Sequence, residues 1–147
     1  MSKNTGDTRF RKVDVDNIGQ SNFEEEKVDD THLNPRDVEN LLNSGKYEDA
    51  VRMVLDNAPV NSKDMALKDA VLALILRGMS QLKSTQIDSF VGGLNQDQLD
   101  MLMKYIYRGF QNPTDITHAS LLLWHEKVYA KSKISSICRV LTDGRIV

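Results

Sequence analysis

The sequence predicts an all-α fold of about seven helices, arranged as an α-α superhelix and preceded by an extended or disordered N-terminal arm. Apolar residues recur at helical spacing from residue 34 onward, and asparagine, proline and glycine stand where helices would begin and end. Apolar and charged side chains are also divided unevenly between the first 33 residues and the rest. These observations indicate two regions, an arm over residues 1–33 and a helical core domain over residues 34–147.

The predicted arm carries too few apolar side chains to fold alone. It contains eight of them, with five basic and eight acidic side chains, in a chain of 147 residues that is 40% apolar and has a net charge of −2. Such a segment cannot offset the entropy that is lost when it becomes ordered. Within it, residues 9–16 run from a basic cluster into alternating valine and aspartate, a pattern that can dock on a partner as an extended peptide. The simpler interpretation is a solvated tail that keeps the protein soluble.

Two helices are predicted before residue 59. Asn34 can cap the first, with Pro35 in its first position, and Gly45 follows it as a stop signal. The second has its apolar residues on one face over residues 47–55 and ends before Pro59.

The middle of the core is its most apolar part. The longest predicted helix begins at Ser62, covers residues 62–82 and has apolar residues on more than one face, which predicts burial between neighbouring helices. Gly78 inside this helix indicates the close approach of another helix. A short helix over residues 84–91 follows and ends at two glycines.

Three further helices complete the prediction. The first begins at Asn95, with Gln98 in the capping-box position, and ends at Gly109. The others cover residues 115–130 and 134–141. Short connections make successive helices antiparallel neighbours, and no strict residue repeat identifies a named repeat family.

Local sequence gives little support for catalysis or for a bound metal or cofactor. His118 and His125 can share a helix face, but no third ligand stands nearby, so we predict no zinc site. Cys138 lies among apolar residues without a local histidine, which predicts a buried thiol rather than a nucleophile. No phosphate-binding loop, dinucleotide motif or nucleophile elbow occurs. We expect no enzyme activity and no cofactor; an active site assembled from distant residues is the open alternative.

The arm contains a partial calcium-loop pattern. Asp14, Asp16, Gly19 and Glu25 occupy its first, third, sixth and twelfth positions, but Ile18 stands where an oxygen ligand is required. We therefore predict no calcium site.

Composition also limits the partners of the chain. The charges of the core nearly balance, so it lacks the broad positive surface that nucleic-acid binding requires. No apolar segment approaches the ~18 residues needed to span a membrane, and the N-terminus lacks the apolar centre of a signal peptide. A single cysteine excludes an internal disulfide and fits a reducing compartment. We expect a cytoplasmic protein with no nucleic-acid partner and no membrane insertion.

Two blocks of sequence resemble a known family. The arm reads RFRKVDVD over residues 9–16, and the C-terminal half reads LDMLMKYIYRGFQNPTD, LLLWHEKV and ISSICRVLTD over residues 99–115, 121–128 and 134–143. In this order and at these spacings, the blocks resemble the smallest (16-kDa) subunit of the actin-related protein 2/3 complex. The resemblance covers nearly the whole chain and is weaker over residues 17–65.

The resemblance implies a non-catalytic structural subunit that supports nucleation of branched actin filaments, in the cytoplasm and at the actin cytoskeleton of the cell edge. The core is expected to bind the 20-kDa subunit and to contact the WD-repeat propeller subunit. The arm is expected to tether an actin-related subunit, and actin filaments are reached through the complex. Carried over by position, the contacts of the arm involve Arg9, Phe10, Arg11, Val13 and Val15. A helical block matches the family pattern and is assigned to partner binding or to the core: Met101, Tyr105, Tyr107, Trp124 and His125.

The residues alone leave a second hypothesis open. A helical superhelix can also act as a free-standing adaptor that binds peptides in a groove. The size of the native particle separates the two hypotheses, because an adaptor has no stable companions.

Overall fold

The computed structural model describes residues 33–112 and 118–147. In that part of the chain the regular structure is entirely helical, which confirms the predicted all-α fold. The helices are α1 (Pro35–Asn43), α2 (Tyr47–Asp56), α3 (Met65–Gln81), α4 (Ser84–Gly92), α5 (Gln96–Gln111) and α6 (His118–Thr142). The arm predicted over residues 1–33 lies outside the described residues except for Leu33, which is buried against the core.

Side-chain caps define the N-terminal ends of α1 and α5. The Asn34 side chain accepts a hydrogen bond from the backbone N–H of Arg36 at 3.2 Å, and Pro35 follows in the first helical position. At α5, Asn95 accepts from the N–H of Gln98 at 2.8 Å, while the Gln98 side chain accepts from the N–H of Asn95 at 3.0 Å. These bonds satisfy N–H groups that have no partner within the helix. Both predicted helix starts are confirmed.

The predicted start of α3 at Ser62 is wrong. Asp64 is the capping residue, and its carboxylate accepts from the N–H groups of Ala66 and Leu67 at 2.9 and 3.3 Å. The Ser62 hydroxyl instead accepts from the N–H of Asp64 at 3.1 Å, and this contact shapes the turn before the helix. Aspartate and serine are both good caps, so local sequence alone does not choose between them.

Two glycines let helices approach closely. A Cβ on Gly78 would lie 3.0 Å from Val51 of α2, which confirms the predicted close approach. A Cβ on Gly109 would lie 3.1 Å from Leu76 of α3 and 3.2 Å from Leu121 of α6. The prediction that α5 ends at Gly109 is therefore wrong: this glycine serves packing, and the helix continues to Gln111.

Helix α6 is interrupted at Lys133, whose backbone has φ 56° and ψ −156°. The interruption falls between the last two helices predicted from the sequence. Counting α6 as one helix gives six helices, and counting its two parts separately gives the seven that were predicted. Before it, Leu121, Trp124 and Val128 are buried; after it, Ser136 is buried.

The predicted burial of Cys138 is wrong, because its side chain is exposed. Beyond Lys133 the helix directs Ser136 to the interior, with the half-buried Ile137 and Val140 beside it. Cys138 therefore points away from the core, although its apolar neighbours in sequence suggested otherwise.

The helices form consecutive layers. α1, α2 and α3 pack against one another, α5 packs against α2 and α3, and α6 packs against α4 and α5. Trp124 of α6 is fully buried and joins three layers, since its indole N–H donates to the carbonyl of Met79 at 3.3 Å and its ring meets Phe90 edge to face at 6.0 Å. None of the described helices combines the length and the apolar character needed to cross a membrane.

A buried lysine joins the loop between α2 and α3 to residue 146, near the last residue of the described chain. Lys68 lies in the first turn of α3, and its ammonium group donates to the carbonyls of Val60 at 2.9 Å and Ile146 at 2.6 Å. The side chain of Val147 is itself buried. Because a buried ammonium group requires oxygen partners, residues 146–147 form part of the environment that makes this lysine acceptable in the core.

Candidate interaction surfaces

The helical block divides into buried and accessible residues. Tyr105 and Trp124 are fully buried, whereas Met101, Tyr107 and His125 keep part of their side chains at the surface. Only the latter three can contact a partner without rearrangement of the core. The other predicted binding residues lie in the arm, outside the described part of the chain: Arg9, Phe10, Arg11, Val13 and Val15. The partial calcium pattern lies there too.

Aromatic and imidazole rings line the seam between α5 and α6. The Tyr107 hydroxyl lies 3.3 Å from Nε2 of His125, and the two rings meet edge to face at 5.7 Å. His125 is also parallel to Tyr129 at a centroid distance of 6.4 Å, and Phe110 stacks with His118 at 6.2 Å. Each of these residues is at least partly accessible, and aromatic side chains are enriched in protein interfaces. The seam is therefore a candidate surface for binding a partner.

The two histidines of the seam have separate ring partners, His125 on Tyr107 and His118 on Phe110. Within residues 33–112 and 118–147, no group of three or more histidine, cysteine or acidic side chains is placed to hold a metal ion.

The interior beneath the seam contains an unusual tyrosine. Burial raises the pKa of Tyr105, and its hydroxyl has no hydrogen-bond partner among the described residues. Arg108 lies one turn further along α5 and donates through Nη2 to Asp69 at 2.6 Å. Its Nη1 is buried and has no partner in the part of the chain that the structure describes. The phenol therefore stays protonated, which excludes Tyr105 as a general base at neutral pH.

A groove of about 590 Å³ lies between the α2–α3 loop, the start of α5 and the end of α6. On one wall, Asp100 accepts from Arg139 Nε at 2.5 Å, from Gln96 Nε2 at 3.0 Å and from the hydroxyl of Ser136. Burial raises the pKa of Asp100, but the hydrogen bonds from Arg139, Ser136 and Gln96 outweigh burial and lower it below the usual value. This cluster fastens the second part of α6 to α5.

The charged groups on the other wall of the groove pair with one another. Lys104 Nζ lies 2.6 Å from Asp143, and Arg145 contacts the same carboxylate at 3.0 Å. Hydrogen bonds from Arg145 and Lys104 hold the pKa of Asp143 well below its usual range. Apolar side chains lie between the charges: Ala58, Val60, Met101 and Val140. The groove therefore suits a peptide segment better than a free anion, because its cations are already paired.

The most apolar accessible surface lies on α6. We call it the α6 flank, and it consists of Leu122, Tyr129, Ile134, Cys138 and Leu141. Four of these side chains are 59%, 42%, 59% and 73% exposed, in the order Leu122, Tyr129, Ile134 and Leu141, and the thiol of Cys138 is exposed between the last two. The apolar residues over 134–141 recur at helical spacing in the sequence. That spacing suggested a helix face turned toward the core, so the sequence did not reveal that part of this face is exposed.

Comparison with known proteins identifies the family. A family model described as the ARP2/3 complex 16 kDa subunit (p16-Arc) matches residues 9–147. The chain belongs to the p16-Arc family. This match begins at Arg9, the first residue of the basic cluster in the arm, and covers every helix of the described structure.

Individual members of the p16-Arc family are similar along their full length. The chain is 38% identical over 152 residues to actin-related protein 2/3 complex subunit 5-B of Xenopus laevis, with all of both chains covered. It is 37% identical over 153 residues to the subunit 5-like protein of Homo sapiens, again with complete coverage of both. Subunit 5 of Dictyostelium discoideum is 35% identical over 112 residues, which are 76% of this chain and 80% of that protein.

Proposed function

We propose that the protein is a non-catalytic structural subunit of the actin-related protein 2/3 complex and supports nucleation of branched actin filaments in the cytoplasm. The observation that carries this proposal is the similarity, along the whole chain, to relatives whose names place them in that complex. The described surfaces agree with a binding role, since their ionisable groups are paired with one another and their aromatic rings stack.

The arm is proposed to tether an actin-related subunit. Residues 9–16 combine two arginines and a phenylalanine with alternating valines, so they offer both charge and apolar anchors to a partner. A tether converts the docking of its second end into an intramolecular event, which raises the effective concentration without a large rigid interface. Phe10 is the expected main anchor, because aromatic side chains contribute most where they become buried.

The helical core is proposed to bind the neighbouring 20-kDa subunit and to contact the WD-repeat propeller subunit. The accessible members of the helical block, Met101, Tyr107 and His125, are candidates for these contacts. Tyr105 and Trp124 then act from the interior by fixing the helices that carry the accessible residues.

Reconstitution of the complex with and without residues 1–32 tests this function. The deletion keeps Leu33, which is part of the core. We expect the shortened chain to retain its helical content and thermal unfolding, but to retain the actin-related subunit less well and to slow branched nucleation of fluorescently labelled actin. Loss of the folded core on deletion would refute the tether. Failure of the full-length chain to join the complex would refute the function as a whole.

A second function is favoured by one observation, the groove of about 590 Å³ with apolar side chains between its charged pairs. A free-standing adaptor would bind an extended peptide there. Native protein purified from cytosol should then run as a particle near 17 kDa, as expected from the chain mass of 16.6 kDa. Elution in a much larger particle with constant companions would exclude the adaptor.

A further inference from the structure

A small cavity lies between the last turns of α5 and the segment after α6, residues 143–147. It encloses about 130 Å³ beside the larger groove, and Lys104 and Arg145 line both spaces. Arg108 lines the small cavity and not the groove. Three of the lining side chains are therefore cations, and none of the described residues that line the cavity is acidic. A concave site lined by one sign of charge attracts ions of the opposite sign.

The guanidinium of Arg108 is the most buried of these charges. Its side chain is 8% exposed, and Nη2 donates to Asp69 at 2.6 Å. Its Nη1 is buried and finds no hydrogen-bond partner among residues 33–112 and 118–147. Because the side chain of Asp69 is 63% exposed, water screens its charge, and it neutralises the buried guanidinium only in part. Arg108 therefore keeps N–H donors that an oxygen acceptor would satisfy.

The other two cations share one carboxylate. Lys104 Nζ lies 2.6 Å from Asp143, and Nη2 of Arg145 lies 3.0 Å from the same group. An ammonium group has three N–H donors, and Asp143 accepts only one of those of Lys104. Across the whole cluster, three cations are paired with two carboxylates, Asp69 and Asp143, which leaves one positive charge in excess.

The size and the directions of the donors limit the ligand. The cavity of about 130 Å³ holds the volume of about four water molecules at roughly 30 Å³ each, which is too little for a nucleotide or a peptide segment. Lys104 and Arg108 lie one turn apart on the same face of α5, and Arg145 approaches from the segment after α6. Donors from three side chains match the three acceptor oxygens of a phosphate group better than the two of a carboxylate.

We propose that this cavity binds a single phosphate group. Nη1 of Arg108, the ammonium of Lys104 and the guanidinium of Arg145 are the donors that contact its oxygens. The inference goes beyond the proposed function and does not depend on it, because all three donors belong to one chain.

Titration of the free, full-length chain with inorganic phosphate tests the site. NMR follows the Nε–H signal of Arg108 and the backbone amides of Gln111 and Val147, which also line the cavity. At about pH 7, we expect a saturable shift that is half complete at about 1–10 mM phosphate, as suits a few charge-assisted hydrogen bonds. Sodium chloride at the same ionic strength should give only the unsaturated shifts of screening. The absence of a saturable shift with phosphate would overturn the inference.

Matched charge variants show whether the binding belongs to the cavity. Arg108→Lys should raise the half-saturating phosphate concentration at least about tenfold, because lysine keeps the charge but lacks the fork of N–H donors. Arg145→Gln should raise it about fivefold, and this side chain is 64% exposed, so its loss leaves the fold intact even if the Arg108 variant does not fold.

The control Arg77→Gln removes an exposed cation of α3 that does not line the cavity, and it should stay within about twofold of the unaltered chain. Equal effects of Arg145→Gln and Arg77→Gln would overturn the inference, because phosphate would then respond only to the net charge of the chain.

Two further probes define the ligand. Sodium acetate presents a carboxylate alone, and we expect it to bind at least about fivefold more weakly than phosphate, since it has fewer charges and oxygens. Acetate that binds as tightly as phosphate would overturn the assignment. O-phosphoserine distinguishes the sources of the group: binding as tight as that of phosphate indicates a group carried on a larger molecule, and much weaker binding indicates the free ion. A chain that joins the complex but binds no phosphate would overturn this inference and leave the proposed function intact.

Discussion

Replacing Lys133 with glycine should stabilise the protein, although glycine within a helix normally destabilises it. Lys133 has φ 56° and ψ −156°, a conformation that costs a residue with a Cβ about 1–3 kcal/mol. Glycine adopts it without that cost but loses about 0.5–1 kcal/mol through the greater freedom of the unfolded chain. The lysine side chain is exposed, so its removal sacrifices little packing. The net expectation is an increase of about 1 kcal/mol in the free energy of unfolding.

Urea unfolding followed by the fluorescence of Trp124 measures this change, because Trp124 is the only tryptophan and is fully buried. Lys133→Ala is the first control and should give no gain, since alanine keeps the Cβ. Ala130→Gly is the second control: it lies in the regular part of α6 and should lower stability by about 1 kcal/mol. If Lys133→Gly lowers stability as Ala130→Gly does, residue 133 is part of an ordinary helix and the reasoning is refuted.

Three further predictions concern contacts between helices. Gly109→Val should destabilise the fold by about 1–3 kcal/mol through crowding at the contact of α3, α5 and α6. Gly144→Val should change stability by less than about 0.5 kcal/mol, because no atom of the described residues lies within 4 Å of its added Cβ. Chemical denaturation compares the two variants, and equal effects would contradict the close packing at Gly109. Lys131 donates to the carbonyls of residues 91, 92 and 94. Lys131→Met should therefore lower the free energy of unfolding by about 1–2 kcal/mol and speed amide hydrogen exchange at the end of α4. Unchanged exchange at the end of α4 would contradict this prediction. The folded-state pKa of Asp100 lies below the usual value of an aspartate, so its contribution to stability is present above the usual pKa and is lost as the pH falls through the folded pKa. Asp100→Asn should therefore weaken the dependence of unfolding on acid below the usual aspartate pKa of about 3.9. An unaltered acid dependence would show that the carboxylate has the same pKa in both states.

The parts of the fold that could be predicted from sequence depend on neighbours in the chain. The capping box of Asn95 and Gln98 and the cap at Asn34 each need only residues a few positions apart. Gly45 is similar, since its φ of 77° suits a residue without a Cβ directly after a helix. Such signals are complete within one turn of helix, and the structure reproduces them.

Two of the errors, at Gly109 and Cys138, concern features that depend on distant residues. Gly109 looks like a helix end in sequence, and only the positions of Leu76 and Leu121 show that it permits close packing. The exposure of Cys138 depends on the rotation of α6 after Lys133, a residue type that gives no signal of a break. The surfaces proposed for binding share this limit, because an apolar row at helical spacing looks the same whether its own core or another subunit covers it.

The buried ammonium group of Lys68 has a consequence for the order in which the chain folds during synthesis. One of its carbonyl partners is Val60, only a few residues earlier, but the other belongs to Ile146, 78 residues later. At translation rates of about 5–20 residues per second, roughly 4–16 s separate the synthesis of the two partners of that bond. During this interval the first turn of α3 holds a charged group whose surroundings are incomplete, so the final packing of an early helix waits for the last residues of the printed sequence.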